Sequence, residues 1–195
     1  MMPVDHAAHA KTAATLLALA TFGLLASAGT VDASLSCKIY AWRSTALHYR
    51  TTYEYSNEQT TAVQKQYKPL PKKGVYAVVR VYEIETVARE TKPCRNLAVK
   101  KRLYLQRRDN PEFVLREINE FYAEDGTLIT TNTQLLTEQL QRSGYYVASD
   151  PLPIPEDAPP GRYLLVSKLV LTKKGRSAAF LLAEAKTEYE ILPLD

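Results

Sequence analysis

From Val75 to Val87 the chain alternates apolar and polar side chains with a period of two. Val75, Ala77, Val79 and Val81 share one face and Arg80 lies opposite. This is the pattern of a half-buried β-strand. After Val81 the phase changes, with Glu83 and Glu85 on the odd positions and Ile84 on the even one. A phase change of one residue predicts a β-bulge near Val81–Tyr82, or a strand that passes from one environment to another. Leu97 to Leu105 keeps Leu97, Val99, Leu103 and Leu105 in phase. Lys38 to Tyr55, rich in Tyr and Thr and holding Trp42, also reads as strand.

Residues 113–131 carry two readings. Asn110-Pro111 is a good helix start, and Val114, Ile118 and Tyr122 recur at helical spacing. The favoured reading is a hairpin, two β runs joined by Glu124-Asp125-Gly126. Gln134 to Arg142, stopped by Ser143-Gly144, is the predicted short helix, and Tyr145 to Ala148 a short strand. Five prolines in residues 151–160 argue against a central strand there and predict a rigid loop. The last residues read as a hairpin. Tyr163, Leu165, Leu169 and Leu171 face one way, Lys173-Lys174-Gly175-Arg176 turns the chain, and Ala179 to Ile191 returns. The helix propensity of the return run leaves a C-terminal helix as the alternative.

The N-terminal pattern is different. Thr12 to Leu25 carries no charge, follows Lys11 and precedes a small-residue stretch. This is the form of a secretory signal peptide, residues 1–33, with cleavage after Ala28 or Ala33. The apolar run of 14 residues is shorter than the ~20 that span a bilayer as a helix. Leu35 stands one place too late for Cys37 to be a lipid attachment site. The Ala-rich leader reads as bacterial, so the expected location is the periplasm or outside the cell, with no membrane-integral part once the leader is removed. An oxidising compartment pairs the two cysteines, Cys37 with Cys94. Closing that loop stabilises by about 4 kcal/mol in the chain-entropy picture.

Removing the leader also removes His6 and His9, so one histidine of three remains, His48. The loss of Lys11, Asp5 and Asp32 raises the net charge from +4 to +5. What is left, residues 34–195, is the length of one domain. A His-based zinc site needs more imidazoles, and the chain has no HExxH, GxSxG or Gly-rich phosphate loop. No metal, cofactor or catalytic residue is therefore expected, and the chain reads as a non-enzyme. His48 with Ser44 as a nucleophilic dyad, and Glu83 with Glu85 as a glycosidase-like pair, form a weaker hydrolase alternative. Catalytic carboxylates normally face each other across a cleft from different elements.

Two side-chain classes carry binding expectations. Lys72, Lys73, Lys100, Lys101, Arg102, Arg107, Arg108, Lys173, Lys174 and Arg176 cluster at predicted strand ends and turns. If these converge they attract an acidic polysaccharide or a lipid head group. Nucleic acid is a poor candidate for an exported chain of this modest charge. Thirteen tyrosines against four phenylalanines is a skewed ratio. Tyr49, Tyr53, Tyr55 and Tyr67, flanking a polar stretch, are candidates for an interaction surface.

The stretch Pro159-Pro160-Gly161-Arg162-Tyr163-Leu164-Leu165, followed by a last strand, resembles the turn into the penultimate strand of immunoglobulin-like and fibronectin-type sandwiches of the bacterial envelope. The resemblance covers about the last 80 residues. The chain departs from antibody-like domains in its early cysteines, with Trp42 close behind Cys37. The resemblance implies a mainly β, two-sheet immunoglobulin-like sandwich with one short helix, acting through surfaces and loops. The expected function is non-enzymatic binding of another cell-envelope protein as an accessory or assembly subunit. The alternative is binding of an acidic glycan or lipid head group by the Lys/Arg-rich turns.

Overall fold

The computed structural model describes residues 40–176 and 178–194. Among the described residues, two helices and nine strands follow one another: α1 (Trp42–His48), β1 (Glu54–Ser56), α2 (Asn57–Gln64), β2 (Ala77–Thr86), β3 (Glu90–Thr91), β4 (Arg95–Arg107), β5 (Phe113–Ala123), β6 (Leu128–Leu135), β7 (Gly144–Ile154), β8 (Gly161–Lys173) and β9 (Ala179–Ile191). They form a four-stranded sheet, β1-β7-β4-β2, and a five-stranded sheet, β3-β9-β8-β5-β6. Every pairing is antiparallel except β3 with β9. The chain is thus a mainly β, two-sheet sandwich.

Inward positions follow the alternation. Leu97, Val99, Leu103 and Leu105 of β4 face Leu115 and Phe121 of β5 and Leu165, Leu169 and Leu171 of β8, all buried. They fall into two apolar clusters. One holds Trp42, Val99, Phe121 and Tyr163, and the other Leu103, Leu115, Leu136 and Tyr146. Burying each such side chain contributes about 1.5–3 kcal/mol.

Both hairpins form. β5 and β6 join through a turn in which Gly126 takes a φ of 81°. β8 and β9 pair from Gly161–Ile191 to Thr172–Ala179. The bulge in β2 is also present. The register with β4 slips between Val79 and Val81, so Arg80 is the extra residue, slightly earlier than expected.

Three local expectations are corrected. The segment around Trp42 is helical. Trp42, Thr45, Ala46 and Tyr49 are all buried, a spacing of three, four and seven that matches a helix face. The Asp157 carboxylate accepts a hydrogen bond from the Trp42 backbone N–H at 2.9 Å and satisfies the start of α1. The polar stretch after Tyr55 forms α2, begun by Ser56, whose Oγ accepts from the Gln59 N–H.

The predicted helix over Gln134–Arg142 is not present; only a single turn forms after Leu136. Leu136 and Leu140 plug the core, and two glutamines turn back on the chain. The Gln134 amide brackets Thr51, accepting from its N–H and donating to its carbonyl, and Gln139 accepts from the Tyr53 N–H. These side chains stand in for a neighbouring strand. Finally, Pro151 and Pro153 lie within β7 rather than in a loop. They pair with β4 beyond the point where β1 has ended, at the open margin of the sheet where proline is tolerated.

Cys94, in a left-handed conformation with φ 62°, is not a free thiol. Cys37, its expected partner, and the expected signal peptide lie outside the described residues.

Candidate functional site

At one level of the sandwich the inward alternation places polar residues where the neighbours are apolar: Lys101 on β4, Glu117 and Asn119 on β5, and Ser167 on β8. All four are buried. Lys101 thus leaves the expected basic surface for the core. Its ammonium donates to Glu117 Oε2, Asn119 Oδ1 and Thr51 Oγ1, each at 2.9 Å, which uses all three of its N–H groups.

The Glu117 carboxylate is saturated. Oε2 also accepts from the Thr51 hydroxyl at 2.6 Å and from Asn119 Nδ2 at 3.2 Å. Oε1 accepts from the Tyr53 and Tyr82 hydroxyls, both at 2.8 Å. Asn119 is held at both ends of its amide. Oδ1 accepts from Lys101 and from the Ser167 hydroxyl, and Nδ2 donates to Glu117 and to Asn132 Oδ1 at 3.1 Å. Asn132 is fixed in turn by donating to the carbonyls of Ala46 and Tyr49.

Burial shifts the titration of this cluster. Desolvation pulls the Lys101 ammonium below the usual lysine range, and the Glu117 charge restores only part of it. Burial would raise Glu117, but Lys101 and the hydroxyl donors outweigh it and hold the carboxyl below its usual range. Tyr53 and Tyr82 are pushed up by desolvation and by the adjacent Glu117 charge.

Seven of the expected basic residues do converge. β2 begins beside the end of β4, where Ala77 pairs with Arg107, and β5 begins beside the end of β8, where Phe113 pairs with Lys173. The 71–76 loop is tied to the β4–β5 turn by Arg108, whose N–H donates to the Tyr76 carbonyl and whose guanidinium donates to the Pro71 carbonyl. The β8–β9 turn is tied to the same place by the Lys174 N–H donating to the Glu112 carbonyl. Lys72, Lys73, Arg107, Arg108, Lys173, Lys174 and Arg176 therefore share one end of the sandwich. Among the described residues its connecting loops carry Asp109, Glu112 and Glu138 in opposition, and Glu112 pairs with Lys173 at 3.0 Å. Exposed Tyr76 packs at a tilt on Phe113 with ring centres 4.2 Å apart at this end, and exposed Phe180 and Leu181 open β9 just after the β8–β9 turn, paired with Leu171 and Val170.

Other expected residues fall elsewhere. Lys100 and Arg102 lie midway along β4 on the outer face, where Arg102 pairs with Glu83 at 3.0 Å and Glu85 at 3.3 Å. The two carboxylates thus share one exposed guanidinium. His48 is exposed and bonds the Ser44 carbonyl, not its hydroxyl. The tyrosine surface is corrected: Tyr49 and Tyr53 are core residues, only 2% and 6% exposed. Their rings pack in the core between α1 and the sheets. Tyr55 is half-buried against Tyr146, under Arg142, and Tyr67 stacks on Tyr104 beneath Arg80.

The buried polar set was not anticipated, although a signal existed. Lys101 occupies the gap in the Leu97–Leu105 alternation, and Glu117 and Asn119 occupy the gap between Leu115 and Phe121. A charge in the inward phase of an otherwise apolar strand needs a buried partner.

No protein-family model matches the chain, and no curated protein matches it. Solved structures share parts of its architecture at low similarity. A CARDB domain from Pyrococcus furiosus, crystallised with di-metal ions, is 11% identical with a TM-score of 0.36, over 64% of this chain and 100% of its own. The CooA pilin subunit of enterotoxigenic Escherichia coli is 10% identical with a TM-score of 0.34, over 61% and 100%. A family 123 glycoside hydrolase from Clostridium perfringens is 14% identical with a TM-score of 0.30, over 54% of this chain, which spans about a fifth (22%) of that enzyme.

Proposed function

We propose that the protein is an exported immunoglobulin-like sandwich that binds anionic lipid head groups at a membrane surface through its basic end. The single observation that carries this reading is the convergence of Lys72, Lys73, Arg107, Arg108, Lys173, Lys174 and Arg176 at the end of the sandwich where exposed Tyr76 lies and β9 begins with exposed Phe180 and Leu181. Cations beside apolar side chains suit a surface where charge meets head groups and rings enter the interface. Each Lys or Arg near such a surface contributes about 1 kcal/mol. The expected envelope-protein partner loses part of its basis, because two of its four tyrosines are core residues.

Sedimentation with vesicles tests the proposal. Vesicles rich in phosphatidylglycerol should carry the protein down and phosphatidylcholine vesicles should not, with binding falling steeply as salt rises. Reversing charge at Lys173, Lys174 and Arg176 together should abolish the difference. Equal binding to both vesicles, or no binding, overturns it. Retention on an acidic polysaccharide without vesicle binding reassigns the ligand to a glycan.

A further inference from the structure

We propose that Lys101 and Asn119 are joined by an intramolecular isopeptide bond, with Glu117 as the proton carrier, stapling β4 of one sheet to β5 of the other. The geometry goes beyond what an ion pair requires. Lys101 Nζ lies 2.9 Å from Asn119 Oδ1. A C=O bond of about 1.23 Å then puts the carboxamide carbon within about 4 Å of the amine, one side-chain adjustment from the ~3–3.5 Å of a near-attack contact. The Ser167 hydroxyl donates to the same Oδ1, so it polarises the carbonyl and sits where negative charge develops on attack.

The decisive feature is a shared oxygen. Glu117 Oε2 accepts from Lys101 Nζ, the nucleophile, and from Asn119 Nδ2, the leaving group. One carboxylate therefore reaches both atoms between which protons must move. Asn132 holds Nδ2 in place from the other side. Lys101, Glu117, Asn119 and Ser167 are sealed from solvent. Desolvation weakens the hold of the Lys101 ammonium on its proton, and the seal excludes water as a competing nucleophile.

The step balances. Glu117 takes a proton from the Lys101 ammonium. The free Nζ electron pair attacks Asn119 Cγ, and the C=O pair moves to Oδ1 beside Ser167. Glu117 passes its proton to Nδ2 and takes a second proton from Nζ. The Cγ–Nδ2 bond breaks, ammonia leaves, and the carbonyl re-forms as the Nζ–Cγ amide. Glu117 remains as the neutral acid. No oxidant, reductant or other reactant is consumed.

Mass spectrometry of the purified full-chain product, reduced and denatured, tests this. The polypeptide should be lighter by one ammonia than its sequence requires. Trypsin should fail to cut after Lys101 and should release a branched peptide joining the Lys101 segment to the segment that holds Asn119. Glu117→Gln should abolish the branched peptide while Lys101 and Asn119 remain. A wild-type chain at its unmodified mass overturns the proposal, and so does ammonia loss without the branched peptide. Persistence of the bond in Glu117→Gln overturns the role of Glu117. Should that variant not fold, the wild-type mass and peptide decide the matter alone.

Discussion

Lys101 Nζ and Glu117 Oε2 stand 2.9 Å apart with both side chains fully buried, so disrupting either one singly is costly. Removing one partner leaves the other's charge uncompensated away from water, and it also prevents the proposed Lys101–Asn119 bond. Lys101→Met should therefore lower stability by about 3–5 kcal/mol. The double variant Lys101→Met/Glu117→Leu should lose less than the sum of the single changes, because neither charge is then stranded. Urea unfolding followed by the fluorescence of Trp42, the one tryptophan, measures both.

Gly144 opens β7 directly against the Tyr55 ring. A Cβ built there would lie 2.2 Å from Tyr55 Cε2 and 3.0 Å from Thr60 Oγ1. Tyr55 cannot simply retreat, since it packs edge-on against Tyr146 beneath Arg142. Gly144→Ala should destabilise by about 1–3 kcal/mol, the usual cost of overpacking. Gly144→Ala combined with Tyr55→Ala should recover part of the loss in the same urea assay.

Asp157 reaches α1 across 115 positions of sequence. Asp157→Ala removes the acceptor for the Trp42 N–H and should cost about 0.5–2 kcal/mol, as loss of a cap does. Asp157→Asn keeps an acceptor oxygen and should lose less. A red shift of Trp42 emission at low denaturant in the Ala variant would report loosening of α1 before the sheets unfold.

That long reach also explains which parts of the fold could be read from the chain. Alternation marked β2, β4 and both hairpins because their burial has a period of two, and Asp125-Gly126 marked the turn of the first. α1 was hidden because its helical spacing lies inside a Tyr- and Thr-rich run and its start is satisfied by a distant carboxylate. Gln134–Arg142 misled because its helical residues serve as a plug and a side-chain strand. The basic turns were visible one by one, but only the antiparallel order of β2, β4, β5 and β8 brings them together. The buried pair is hidden in the sequence because Lys101 stands between Lys100 and Arg102 along the chain, whereas on its face of the strand its neighbours are Val99 and Leu103.

Charge and apolar contact at the basic end should separate experimentally. Phe180 is exposed one pairing position beyond Ala179, which faces Thr172 at the start of the hairpin. Phe180→Ser should weaken binding to anionic vesicles without changing its dependence on salt, because no ion is released or retained by the change. Arg107→Ala with Arg108→Ala should weaken binding and flatten the salt dependence together. Titrations at three salt concentrations distinguish the two effects.

Glu120 and Lys168 face each other across β5 and β8, with nitrogen to oxygen distances of 2.9 and 2.8 Å. Partial burial would raise Glu120, but the bonds from Lys168 and Tyr122 prevail and hold it below its ordinary 4.5. The Glu120 bond lifts Lys168 above its ordinary 10.5. A carboxyl depressed in the folded state contributes stability above pH 4.5 that is lost as pH falls through the lower folded value. A raised ammonium contributes stability that is complete below pH 10.5 and is lost as pH rises through the higher folded value. Both groups are partly exposed, so the gain is about 0–1 kcal/mol. The melting temperature of wild type should exceed that of Glu120→Gln by a constant margin between pH 4.5 and 10.5. The two curves should converge beyond both limits, and a margin that grows in acid would contradict the assignment.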